Sequence, residues 1–191
     1  MSDTHGNFVW YDLMTTDVTA ARKFYGELIG WDTTPFEAAP EDKPYTMWVG
    51  PKGPLGGVST LPEEAKAMGA PPHWLAYTHC GDTQATVDKA KELGAKVLVP
   101  PTVIEGGSGS SFAVLQDPQG AVFGVVGGGP SGEHGGKEPG TFSWHELATT
   151  NYEEAFAFYE GLFGWKKGEA ADMGPMGIYQ MYNNGGEDLG G

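Results

Sequence analysis

The chain has a single cysteine, Cys80, in 191 residues, so no disulfide can form within it. It is also short of basic charge: 11 Lys and Arg stand against 25 Asp and Glu, a formal charge of −14. A sequence-independent grip on nucleic acid needs a basic footprint, so no nucleic acid partner is expected. No stretch approaches the roughly 20 apolar residues that a bilayer core requires, and no membrane partner is expected either. The opening MSDTHGNF carries neither the basic nor the apolar region of a secretory signal. With the lone thiol, this gives a reducing, cytoplasmic setting as the expectation. What the chain has in quantity is glycine, 31, and proline, 14, beside 12% aromatic and 39% apolar residues. That mixture describes a folded protein dense in turns.

An internal repeat organises it. Phe8 to Trp31 lies over Phe142 to Trp165 without a gap, at an offset of 134, with 11 identities in 24 positions. The same offset pairs Tyr45 with Tyr179, Met47 with Met181, and Gly56-Gly57 with Gly190-Gly191. A repeat fixes architecture more firmly than local propensity does. Within each copy an alternating, strand-like opening gives way to a helical period after the N-cap residues Asp17 and Asn151. Ala21, Phe24, Tyr25 and Leu28 mark one helix face, and Gly30 and Gly164 stand where left-handed C-terminal residues belong. Short β-like runs follow, divided by Pro- and Gly-containing turns. The unit reads βαβββ. A fainter copy spans His73 to Val126, with Asp82 as its cap and Asp117-Pro118-Gln119-Gly120 as a type I turn before its last strand. The expected organisation is a tail at 1–7, a first domain at 8–126 built of modules 8–60 and 73–126, a glycine-rich linker at 127–140, and a partial second domain at 141–191. The fold class is α+β, tandem βαβββ modules paired into an incomplete barrel, the third module incomplete.

The strand-Asp-helix-FY-x-x-L-x-G-W pattern, present twice, and the run Asp117 to Val126 (DPQGAVFGVV) resemble the vicinal oxygen chelate superfamily, which includes glyoxalase I, bleomycin-resistance proteins and extradiol dioxygenases. Among these the chain looks most like two-domain glyoxalase-like proteins. The resemblance implies paired modules around a cavity, in which a divalent metal polarises vicinal oxygens of a substrate. It also implies a His or Gln ligand seven residues before each capping residue and a Glu seven after the Asp of the turn. Those positions hold Trp10, Trp144, Leu75 and Gly124. None is a metal ligand, so no metal and no cofactor is expected in the first domain.

Strand alternation gives the side chains that share a face with the replaced positions. Asp12 and Met14 join Trp10, Glu146 joins Trp144, and Tyr77 and His79 join Leu75. An acid thus recurs two residues after each tryptophan. Asp12 and His79 are the candidate catalytic acid/base residues, and Trp10, Met14, Tyr77, Trp144 and Glu146 the candidate ligand-binding residues. The two indoles either fill the cavity or offer a flat wall to a planar ligand. Cys80 is expected to be a buried, inert thiol. Three functions stay open: a metal-independent protein that binds or transforms a small metabolite or drug, a divalent-metal-dependent lyase or dioxygenase with nonstandard ligands, and a non-catalytic interaction protein with plugged cavities. A homodimer through the incomplete third module is a further expectation.

Overall fold

Helix boundaries follow the caps. In the computed structural model, which describes residues 4–128 and 138–191, Asp17 accepts from the Ala20 amide at 2.9 Å and opens α1 (Val18–Ile29). Asp82 does the same for α3 (Thr83–Glu92) through Ala85, and Asn151 for α4 (Tyr152–Phe163) through Glu154. Gly30 and Gly164 end α1 and α4 at φ of 84° and 74°, a left-handed turn that costs glycine nothing.

The first two modules have the expected order. The first holds β1 (Phe8–Thr15), α1, β2 (Asp32–Pro35), β3 (Thr46–Gly50) and β4 (Gly53–Thr60). A short helix, α2 (Glu63–Ala67), leads to the second: β5 (His73–Cys80), α3, β6 (Lys96–Val103), β7 (Ser111–Gln116) and β8 (Val122–Gly127). The third holds α4, β9 (Lys166–Asp172), β10 (Ile178–Asn183) and β11 (Asp188–Gly190). The architecture is mixed α+β, strand-rich βαβββ-like modules that do not close into a barrel. The expected linker, 127–140, lies mostly outside the described residues.

The described chain falls into two compact units. One takes in residues 8–77 and 138–142, the other 4–7, 78–128 and 143–191. In the first, the strands run β2-β3-β4-β1-β5, with β1 and β4 parallel and Asp12 opposite Gly57. One face of this sheet is sealed by Leu13, Trp31, Trp48, Leu55 and Val58, against which Tyr25, Trp74 and Phe142 pack. Tyr11, also buried, stacks on Phe142 with centroids 3.7 Å apart. Trp48 is wholly buried. Removing roughly 200 Å² of indole from water at about 25 cal/mol per Å² is worth about 5 kcal/mol. Its Nε1, buried without a partner, takes back about 1–3 kcal/mol of that.

In the second unit, β6, β7 and β8 form an antiparallel meander covered by Val87 and Ala90 of α3. Phe158, Tyr159, Leu162 and Phe163 of α4 are buried, with Phe123 of β8 edge-on to Phe158 and Tyr159. The Tyr159 hydroxyl donates to Asp117 Oδ2 at 3.0 Å. Asp117 Oδ1 accepts from the Gln119 and Ala121 amides, so the turn before β8 also anchors α4. Cys80 is buried here, and burial, the leading cause, raises its thiol pKa, as an inert thiol requires.

Two expectations change. The strand opening the third module does not form; His145 makes only an isolated parallel bridge to Gly190. Three backbone bonds tie 145–147 to the Leu189–Gly191 end. Phe24, on the apolar helix face with Ala21, Tyr25 and Leu28 and so placed to pack on the sheet, is 56% exposed, whereas its repeat counterpart Phe158 is buried. Helix α1 has no buried residue at all.

Candidate functional site

The pleat of β1 divides its side chains cleanly. Val9, Tyr11 and Leu13 are buried, while Trp10, Asp12 and Met14 are only half-buried on the other face. On that second face the Asp12 carboxylate is the hub of a ring of donors. Tyr45, immediately before β3, gives its hydroxyl to Asp12 Oδ1 at 2.5 Å. The Trp10 indole N–H is shared between Asp12 Oδ1 at 3.0 Å and the Tyr45 oxygen at 2.7 Å. Tyr77 of β5 and the Gly57 backbone complete the ring.

These bonds favour the charged carboxylate, but desolvation by the surrounding rings is the larger effect and raises the Asp12 pKa. Burial likewise pushes the Tyr45 and Tyr77 hydroxyls well up, with the Asp12 charge adding to it. The result is a carboxyl group tuned towards its protonated form among phenols that stay protonated. It can hold or give a proton at Oδ1 or Oδ2.

The third module builds the same group. Trp144 Nε1 donates to the Tyr179 hydroxyl at 2.7 Å, and Tyr179 donates to Glu146 Oε1 at 2.9 Å. The three residues are the repeat counterparts of Trp10, Tyr45 and Asp12. Here the group is open, with Trp144 43% exposed. The recurring glycine doublet has a steric reason. A Cβ on Gly57 would collide with the Tyr45 ring and hydroxyl, and one on Gly191 with the Tyr179 ring. Sequence reasoning placed the acids and the indoles but missed Tyr45 and Tyr179, the residues that join them. Their signal was the repeat itself, which pairs both tyrosines and both glycine doublets at one offset.

His79 belongs to the other unit from Asp12, and its Nδ1 lies 3.0 Å from the Thr4 hydroxyl. Met14 flanks Asp12 on β1, opposite Ser59 of β4. His145, next to Glu146, sets its Nδ1 3.0 Å from the Leu189 carbonyl, and burial lowers its pKa.

A metal in the manner that the resemblance implies does not fit these residues. The indole of Trp10 uses its only polar atom as a donor, and Leu75 and Gly124 have no donor atom. Among the described residues, no three His, Cys, Asp or Glu side chains converge as a metal site would need.

The model of the Glyoxalase/Bleomycin resistance protein/Dioxygenase superfamily matches residues 7–125. The chain belongs to this superfamily. Among curated members, CFP32 of Mycobacterium tuberculosis, which carries glyoxylase in its name, is 31% identical over 186 residues, 95% of this chain and 69% of that protein. The anthracycline biosynthesis protein DauV of Streptomyces sp. strain C5 is 28% identical over 180 residues, 88% of this chain and 63% of its own length. Two solved superfamily structures share the fold. A mutant of 4-hydroxymandelate synthase from Streptomyces coelicolor matches with a TM-score of 0.62 at 15% identity, over 94% of this chain and 59% of that one. The Mn(II)-bound glyoxalase from Novosphingobium aromaticivorans matches with a TM-score of 0.54 at 16% identity, over 86% and 54%. Among the described residues of this superfamily member, no helix is long and apolar enough to cross a membrane.

Proposed function

We propose that this glyoxalase-superfamily chain binds a small, planar organic molecule over the Trp10–Asp12–Met14 face and serves it without a metal, with Asp12 as the group that holds or delivers a proton. One observation carries the reading: a carboxyl group with a raised pKa sits on the half-open face of β1 beneath an indole and two phenols. Desolvated acids of this kind mark acid/base chemistry, because a free energy cost is being borne where the fold has no need of it. The Trp10 ring supplies a stacking wall, and Tyr45 and Tyr77 hold the Asp12 oxygens in place. Similarity to proteins named for anthracycline biosynthesis supports a planar polycyclic ligand. Cys80, kept as a buried thiol, suits a cytoplasmic setting. The reading includes His79 as a second proton-carrying residue, and a homodimer formed through the third module.

The test is a titration of intrinsic tryptophan fluorescence with planar polycyclic quinones and phenols, using protein purified without chelator and assayed for metals. Expected are saturable binding that chelator leaves unchanged and an affinity about tenfold lower in Asp12→Asn. A stoichiometric transition metal, or binding indifferent to Asp12→Asn and to Tyr45→Phe, overturns the reading. Loss of turnover on His79→Asn would support the role of His79, and a sedimentation coefficient independent of concentration at the monomer value would remove the dimer.

A further inference from the structure

The segments that lead into the first and third modules are copies of one another, and each closes on a tryptophan of the other copy. At the offset of 134, Gly6-Asn7-Phe8 matches Gly140-Thr141-Phe142, and Trp31 matches Trp165. In the first unit the Trp31 indole N–H donates to the Gly140 carbonyl at 2.8 Å. In the second the Trp165 indole N–H donates to the Gly6 carbonyl, also at 2.8 Å. The two glycines share a left-handed backbone, at φ of 84° and 80°. The pairing is therefore crossed. The lead into the third module serves Trp31 of the first, and the lead into the first serves Trp165 of the third.

Both segments are fastened by more than the indole. Phe142 stacks on Tyr11 and meets Trp31 and Trp74 with centroids 5.5 and 5.6 Å apart. Glu138, whose carbonyl accepts from Thr141, pairs with Lys52 at 3.3 Å. Around Gly6, backbone bonds join Gly6 and Asn7 to His79 of β5, and the Asn184 amide donates to the His5 carbonyl and to Asn7 Oδ1. The His5 ring meets Phe163 edge-on. Trp31 and Trp165 are both buried, so each glycine carbonyl satisfies an indole N–H that would be costly to leave unpaired.

We infer that residues 4–7 and 138–142 are exchanged arms: each is the lead into one module and the latch of the other, so that releasing an arm opens the aromatic core of the module it does not lead into. Glycine is required in each latch. A Cβ on Gly6 would stand 3.0 Å from Asn184 Nδ2 and 3.1 Å from Trp165 Nε1, and one on Gly140 would stand 3.3 Å from the Pro51 ring, besides the strain of a left-handed backbone. The arm that latches the first module also braces β1 from behind, since Tyr11, on which Phe142 stacks, stands between Trp10 and Asp12 in that strand. The arms do not depend on the function proposed for Asp12.

The experiment measures hydrogen exchange of the Trp31 and Trp165 indole N–H groups by NMR in the full chain and in Gly140→Ala, Phe142→Ala and Gly6→Ala. Gly69→Ala is the control, because Gly69 has the same left-handed backbone, φ 82°, with nothing within 4 Å of an added Cβ. A crossed pattern is expected. Gly140→Ala and Phe142→Ala speed exchange at Trp31 about tenfold and spare Trp165, Gly6→Ala does the reverse, and Gly69→Ala moves neither. The opposite assignment, or no response to any of the arm variants, overturns the proposal. So does an equal response of both indoles to every variant, Gly69→Ala included, which would be a general loss of stability. Trp31 protection that rises with protein concentration would also overturn it, because the arm would then come from a second copy.

Discussion

Asp12 sets the pH behaviour expected of the molecule. Its folded pKa lies above the ordinary value of 3.8 because burial outweighs four hydrogen bonds. The folded state therefore holds this proton more tightly than the unfolded chain, and the contribution of Asp12 to stability falls as pH rises from 3.8 through its folded pKa. Asp12→Asn keeps the shape and the acceptor oxygen but removes the ionisation. Its stability relative to the parent chain should rise between acid and neutral pH, as measured by urea unfolding at a series of pH values; a flat difference would contradict the assignment. Tyr45→Phe acts in the other direction. It removes the 2.5 Å hydroxyl bond to the carboxylate and should cost about 1–3 kcal/mol in the same assay, while raising the Asp12 pKa further. Gly57→Ala places a methyl group where the Tyr45 ring lies. It should cost about 1–3 kcal/mol as well and detach Tyr45 from Asp12.

Helices α1 and α4 share four of their twelve residues, Ala21, Phe24, Tyr25 and Leu28 matching Ala155, Phe158, Tyr159 and Leu162, and are opposites in burial. Phe158 and Leu162 of α4 are covered, whereas Phe24 and Leu28 of α1 are 56% and 65% exposed. Phe158→Ala should therefore cost about 3–5 kcal/mol, while Phe24→Ala should change stability by less than about 1 kcal/mol. Similar costs in thermal or urea unfolding would show that α1 is covered in solution. The contrast also shows where sequence stops being legible. Caps, helix lengths and the βαβββ order can be read from Asp17, Asp82, Asn151 and the glycines that follow, because these are local effects. Whether Phe24 is covered depends on what packs over the helix, and identical residues at Phe24 and Phe158 carry no record of it. The site divides in the same way. Asp12 and Trp10 were visible as a two-residue alternation on one strand. Tyr45 reaches them from 33 positions away, through a loop whose path no periodicity describes.

At the scale of the whole molecule, the repeat yields two versions of one polar group, one enclosed by Tyr77 and one open. The third module is anchored through α4, whose rings meet Phe123 and whose Tyr159 is tied to the turn at Asp117. Residues 143–149, by contrast, are held outside any strand, by an isolated bridge and three backbone bonds to the Leu189–Gly191 end. Hydrogen exchange should accordingly show α4 amides protected to an extent similar to those of α3, and 143–149 exchanging much faster. Fast exchange of α4 together with 143–149 would mean that the module is not held by its helix.

The ring cluster beneath β1 has an optical consequence. Trp31, Trp48 and Trp74 lie with centroids 5.6 to 6.2 Å apart, at interplanar angles of 37° to 77°. Chromophores this near and this skewed share their excited states, so they should produce an exciton couplet, two dichroic bands of opposite sign. Swapping one of the three indoles for phenylalanine would reshape that couplet and swapping two would abolish it, giving a built-in spectral readout of whether this core is assembled.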